Sequence, residues 1–128
     1  AIEHAGITKE SVDYINTHGT STGMGDPIET NAIAELFSEH AGEMAVTSTK
    51  GATGHMMGAG GITEAITCIQ CIRTGVVPPT LNLDELDEKC ASLNYVPHKA
   101  IEKEVRVAMS NSFGFGGQNS SVIFCRYE

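Results

Sequence analysis

The 128 residues carry 8 basic and 16 acidic side chains, a formal charge of -8, with 41% hydrophobic residues and 14 glycines. That is room for one domain and one modest core, with a balance too acidic for nucleic acid or anionic membranes as main partners. No apolar run approaches the roughly eighteen residues needed to span a bilayer, and no signal-peptide pattern is present.

Ala1 to Ala5 reads as the tail of a helix that Gly6 ends, and a chain opening on Ala1 without Met suggests a fragment or a processed product. Val12 to Asn16 (VDYIN) predicts a short strand, running into Thr17 to Gly23, a loop dense in hydroxyls and glycine. Asp26-Pro27-Ile28-Glu29 predicts a helix start: Asp as N-cap, Pro in the first position, and Glu closing a capping box. Ile28, Ala32, Ile33, Leu36 and Phe37 then line one helical face, and Gly42 marks the exit. Ala45 to Ser48 predicts a brief buried strand.

A second helix is expected from about His55 to Arg73, with Ile62, Ala65, Ile66, Ile69 and Ile72 as its core stripe. Its first turns hold Gly58, Ala59, Gly60 and Gly61, so poor in helix propensity that something is expected to press closely there. Gly75 caps its far end and Pro78-Pro79 prevents continuation. Thr80 to Ala100 is expected to be irregular, with a solvated acidic patch at Asp84, Glu85, Asp87 and Glu88. Glu104 to Ser110 alternates Val105, Val107 and Met109 as a strand, Asn111 to Asn119 forms a loop, and Ser120 to Tyr127 makes the last strand. The order predicts a layered α/β domain with a mixed sheet flanked by helices.

Cys68 and Cys71 form a C-x-x-C on the second helix, inside Ile-rich sequence and without a second pair. Buried apolar thiols explain this better than a metal knuckle or redox site. The cysteine usage fits a reducing, cytosolic compartment.

The chemistry concentrates in VTSTKGATGHMMGAGG, Val46 to Gly61, which sets Lys50 five residues before His55. Glu64 follows on the apolar helix. A cation, an imidazole and a carboxylate are costly to enclose unless they pair; the plainer alternative is a surface Lys, a loop His and a solvated Glu. Asn16 to Gly25, Thr47 to His55 and Ser110 to Asn119 each follow a strand, and ligands gather at the carboxyl ends of strands. Convergence there would join His18, Lys50, His55 and the amides of Gly114 to Gly117. That set suits negative charge on a substrate oxygen or proton transfer. Gly114-Phe115-Gly116-Gly117 lacks the helix of a dinucleotide fingerprint. A zinc site from His18, His55 and a Cys lacks short spacing, Ser21 lacks a nucleophile elbow, and His4, His40 and His98 read as surface residues.

Three segments together resemble the β-ketoacyl-ACP synthases, most closely the elongating synthase II type and related polyketide ketosynthases: VDYINTHGTST (Val12 to Thr22), STKGATGHMMGAGG (Ser48 to Gly61) and SNSFGFGGQNSSVIF (Ser110 to Phe124). The resemblance runs from Ala1 to Glu128 and implies the C-terminal half of a thiolase-like fold. It implies an acyltransferase of fatty-acid elongation that condenses an acyl thioester with malonyl-ACP after decarboxylation. It also implies His18 and His55 as the catalytic histidines, Lys50 with Glu64 as the network holding them, and Thr20 and Thr22 as contacts to the phosphopantetheine arm. Phe115 takes the place of a gate whose amide is one oxyanion-hole donor. No cofactor is required; Asn16, Glu64, Ser110 and Asn111 match a structural monovalent-cation site seen in some members. The partners implied are acyl carrier protein, a second copy as homodimer, and the family's N-terminal half with its nucleophilic cysteine. Cys68, Cys71, Cys90 and Cys125 all fall outside the matching position, so the isolated chain is expected to be unable to load an acyl group. The alternatives are a non-catalytic partner subunit or a polyketide ketosynthase fragment; a thiolase acting on coenzyme A esters fits the THGTST loop and the Lys50-to-His55 spacing less well.

Overall fold

The computed structural model describes residues 1–127; Glu128, the final residue of the expected domain, lies outside the described residues. In chain order the elements are α1 (Ile2–Ala5), β1 (Tyr14–Asn16), α2 (Gly25–Phe37), β2 (Ala45–Thr47), α3 (Lys50–Thr53), α4 (Gly60–Thr74), β3 (Val76–Val77), β4 (Ile101–Glu102), β5 (Val107–Gly114) and β6 (Gln118–Cys125). Four strands form one sheet in the order β2-β1-β5-β6, with β1 parallel to both neighbours and β6 antiparallel to β5. The mixed sheet is as expected. β3 and β4 pair separately as a short antiparallel ladder that the sequence pattern did not reveal.

Register sorts the central strands into rows. Tyr14 lies beside Ala45 and Ala108, Ile15 beside Val46 and Met109, and Asn16 beside Thr47 and Ser110. Side chains alternate between the faces of a sheet, so the first two rows feed different cores. Ile15, Val46, Met109 and Val107 pack with Ile33 and Phe37 of α2. Tyr14, Ala45 and Ala108 pack with Cys68, Cys71 and Ile72 of α4. The third row, at the carboxyl ends, is buried and polar. It forms the floor beneath the loops.

Several local expectations are corrected. The predicted capping box does not form: α2 begins at Gly25 without a side-chain cap. Asp26 instead accepts the Ser21 N–H at 3.1 Å, and Thr22 Oγ1 accepts the Gly25 N–H at 3.1 Å. Glu29 turns inward, away from its own helix end. Along α2, Ile33 and Phe37 are buried, whereas Ile28, Ala32 and Leu36 face out. Only the inward pair contributes the roughly 1.5–3 kcal/mol that full burial of a large apolar side chain gives.

The second long helix starts at Gly60, not His55, because Gly54 at φ 71° and Met57 at φ 50° break the spiral between α3 and α4. Of the expected stripe only Ile72 is fully inside, with Ala65 half-buried. Glu64, Cys68, Cys71 and Ile72 are buried, while Ile62, Ile66 and Ile69 are exposed. Among the described residues nothing presses on the glycines: a Cβ at Gly58 or Gly60 would meet no atom within 4 Å, and one at Gly61 only Ser112 Oγ at 4.0 Å. The expected loop from Asn111 to Asn119 is mostly strand, since β5 and β6 continue to a turn at residues 115–117.

Candidate active site

Past the buried row of Asn16, Thr47 and Ser110, the β1 loop turns sharply. Thr17 donates its N–H to the Thr47 carbonyl at 2.9 Å. Gly19, at φ 37°, sits where a Cβ would lie 2.6 Å from Thr17 Oγ1 and 2.7 Å from Ser48 Cβ, so only glycine fits. Ser48 Oγ donates to the Gly19 carbonyl at 2.7 Å and accepts the Lys50 N–H at 3.3 Å, tying the β1 and β2 loops together.

This stitching brings His18 against His55. Their ring centroids are 5.5 Å apart and nearly perpendicular, at 84°. Phe113 of β5 also packs against His18, at 5.5 Å between centroids. Burial pushes the His18 imidazole below its ordinary pKa, and the positive charge of Lys50 acts in the same direction. The ring is therefore neutral near pH 7. Its Nδ1 is buried without a hydrogen-bond partner among the described residues.

His55 is exposed, at the end of α3. Met57 donates its N–H to His55 Nδ1 at 3.1 Å. A nitrogen that accepts there leaves the ring proton on Nε2, so His55 presents an N–H outward.

Lys50 opens α3 and reaches Glu64 of α4 in a buried ion pair, with 8% and 4% of the two side chains exposed. Ser112 donates its hydroxyl to the other Glu64 oxygen at 3.3 Å. The reading of Lys50 and Glu64 as unrelated surface charges is excluded by this pair. Ser112 and Phe113 went unnoticed in the sequence because Asn111 to Asn119 reads as loop. On a strand the two side chains leave opposite faces, Ser112 toward Glu64 and Phe113 toward His18, contacts that only the tertiary structure discloses.

The remaining candidates are dispersed. Thr20 is half-buried and Thr22 exposed, in the loop between His18 and α2. Phe115 stands at the hairpin tip with its ring fully exposed. Asn16, Ser110 and Asn111 are buried. Asn111 donates to Glu29 Oε1 at 3.2 Å and accepts from Ser121 at 2.7 Å. Asn16 Nδ2 donates to Thr49 at 3.3 Å, while its Oδ1 has no hydrogen-bond partner among the described residues. That unsatisfied oxygen suits a hard cation, although the oxygens of Glu64 already face Lys50 and Ser112. No group of three or more His, Cys, Asp or Glu side chains converges as metal ligands among the described residues.

Cys68 and Cys71 lie inside the core, their thiols pushed up to about 12 and about 11 by burial. They are packing residues, as expected. No helix among the described residues is long and apolar enough to cross a membrane.

Comparison with known proteins places this arrangement. Residues 1–84, which include His18, Lys50, His55 and Glu64, match the family "Beta-ketoacyl synthase, C-terminal domain". The chain is 48% identical over 126 residues to 3-oxoacyl-[acyl-carrier-protein] synthase 2 of Coxiella burnetii, covering 98% of this chain and 30% of that protein. It is likewise 48% identical over 127 residues to the synthase 2 of Rhizobium meliloti, covering 99% and 30%. Among solved structures, a β-ketoacyl synthase from Burkholderia phymatum superposes with a TM-score of 0.93 at 40% identity, covering 100% of this chain and 31% of that one. The fold is thus thiolase-like, and the chain spans about 30% of the length of the curated relatives it matches. With the family match across two thirds of its residues and the histidine pair standing on the shared scaffold, this chain belongs to the β-ketoacyl synthases, as their C-terminal domain.

Proposed function

We propose that this chain supplies the His18/His55/Lys50 side of the active site of an elongating 3-oxoacyl-ACP synthase, which lengthens acyl chains by decarboxylating Claisen condensation. The carrying observation is the pairing of two imidazole rings 5.5 Å apart beside the buried Lys50–Glu64 ion pair. The chemistry follows from the protonation of those groups. When the C–C bond to the malonyl carboxylate breaks, CO2 leaves and the electron pair becomes an enolate whose charge settles on the thioester oxygen. Neutral His18 and the outward Nε2–H of His55 donate hydrogen bonds to that oxygen, each worth roughly 3 kcal/mol of barrier when preorganised. Lys50 adds positive potential and opposes protonation of His18. The enolate carbon then attacks an acyl thioester carried on a cysteine outside this chain; the Phe115 amide receives the resulting oxyanion, whose collapse breaks the C–S bond and returns the electron pair to the cysteine as thiolate.

Thr20 and Thr22, in the loop after His18, would contact the phosphopantetheine arm of the acyl carrier protein. Asn16 Oδ1, with Ser110 and Asn111 and less readily Glu64, would hold a structural monovalent cation. The working enzyme in this reading is a cytoplasmic homodimer whose N-terminal half completes the fold. Fatty-acid elongation is favoured over polyketide extension by 48% identity to synthase 2 relatives against 31% to a ketosynthase solved with its type II polyketide acyl-carrier protein. A purely structural partner subunit would have no chemical need for His18, Lys50 and His55 together.

The test uses the complete synthase. His18→Ala and His55→Ala should each cut malonyl-ACP decarboxylation about a hundredfold or more while the nucleophilic cysteine still accepts an acyl group. Phe115→Ala in the same panel should change the product-length profile. Normal decarboxylation by either histidine variant would sink the role assignment.

A further inference from the structure

The irregular chain after Pro78-Pro79 has no part in the chemistry described so far, yet it lies against the loop that carries Lys50. Thr80 is half-buried, and its Oγ1 accepts the Ser48 N–H at 3.3 Å. The next residue presses on α3: a Cβ at Gly51 would lie 2.8 Å from the Leu81 carbonyl oxygen, closer than a side-chain carbon can come. Ser48 is also where the two catalytic loops are tied, since its hydroxyl donates to the Gly19 carbonyl and accepts the Lys50 N–H. A residue outside both loops thus grips the knot between them.

Thr80 is itself braced. Its N–H donates to the Val96 carbonyl at 3.0 Å, its carbonyl accepts the His98 N–H at 3.4 Å, and it forms a parallel bridge with Pro97. Val96 is 2% exposed, in the core cluster of Tyr14, Cys68 and Val77, and stands at φ 50°, with His98 at φ 64°. Positive φ is an outlier for a β-branched residue, and such backbone persists only where surrounding contacts over-determine it. Two bent residues on either side of Pro97 therefore hold both backbone polar groups of Thr80.

We infer that Thr80 is a positioning residue for the decarboxylation step, its hydroxyl fixing Ser48 and, through Ser48, the spacing of the His18 loop from Lys50. This role rests on the reading of His18 as a donor to the developing enolate beside Lys50. A displacement of about 1 Å in a positioned group can cost on the order of a hundredfold in rate, and releasing one of several tethers takes part of that.

The experiment compares wild type, Thr80→Val, Thr80→Ser and His18→Ala in the complete synthase. Two readouts are followed: kcat and KM for malonyl-ACP decarboxylation, and backbone amide exchange resolved by fragmentation mass spectrometry. Thr80→Val keeps the shape and removes the acceptor, so kcat should fall about fivefold or more with KM within about twofold. Exchange at Ser48 and Lys50 should quicken while Ala45 to Thr47 stay protected. Thr80→Ser, which keeps the hydroxyl, should return kcat to within about twofold of wild type; Thr80→Ala stands in if the valine variant does not fold. Wild-type kcat in Thr80→Val would overturn the inference, as would unchanged exchange at Ser48 or failure of serine to rescue. Loss of protection throughout β2 would also overturn it, making Thr80 a general structural residue. Normal decarboxylation by His18→Ala would instead overturn the underlying reading of His18, a result separable from the others.

Discussion

Lys50 and Glu64 form the group of the site that is most expensive to build. Both charges leave water almost entirely, and their mutual attraction with the Ser112 hydrogen bond offsets the desolvation only while both are present. Removing either partner strands a buried charge, which typically costs about 3–5 kcal/mol. Replacing both by apolar residues of similar volume removes the problem altogether. Lys50→Met and Glu64→Leu should therefore each destabilise the folded enzyme strongly in urea unfolding, and the double variant should lose less than either single one. Losses that add would contradict a mutually dependent pair. Decarboxylation should fall in all three, because Lys50 also acts on His18.

At the scale of elements, α4 shows what the sequence could disclose and where it misled. Both of its faces are apolar, Ile62, Ile66 and Ile69 on one and Cys68, Cys71 and Ile72 on the other. Periodicity cannot choose between two such faces, and isoleucine looks more like core than cysteine does. The deciding residue is Glu64: once it must meet Lys50, positions 68 and 71 follow it inward one and two turns later. α2 repeats the case, with Glu29, Ile33 and Phe37 inward and Ile28, Ala32 and Leu36 outward. The three loops and the histidines were legible because glycine and hydroxyl residues after a strand leave few alternatives. Helix starts, the extent of β5 and the orientation of both helices depended on partners distant in sequence. The inward thiols carry a measurable consequence. They ionise near pH 9 when exposed but only toward about 11 and about 12 in the fold. The folded state therefore keeps more protons than the unfolded chain above pH 9, and stability is whole below that pH and declines above it. Cys68→Ala with Cys71→Ala should flatten this alkaline decline, and neither thiol should react with a disulfide reagent until the protein unfolds. Labelling of either in the native state would count against their burial.

For the molecule as a whole, the outward rows of α2 and α4 leave much apolar surface facing solvent. A cavity of about 620 Å³ opens between α4 and β6, walled by Ile69, Ile72, Ile123 and Phe124. β6 ends the sheet with eight residues whose outer edge pairs with no strand among the described residues. Exposed apolar patches and bare strand edges both promote association. The chain spans about 30% of the length of its curated relatives. Expressed alone, the chain should bind a hydrophobic dye and sediment as aggregates; a soluble monomer with a single cooperative unfolding transition would refute that.

The pairing of β1 with β5 also sets an order of events during synthesis. Asp13 accepts the N–H of Val107 across 94 residues of chain, and Ile15 finds Met109 beside it. α2 and α4 are both synthesised before β5, so each inward row waits for part of its core, Val107 and Met109 for α2 and Ala108 for α4. Closing so long a loop is slow and yields no contact until it is complete. A premature stop before residue 107 would thus leave a polypeptide holding His18, Lys50, His55 and Glu64 without Ser112 on Glu64 or Phe113 against His18.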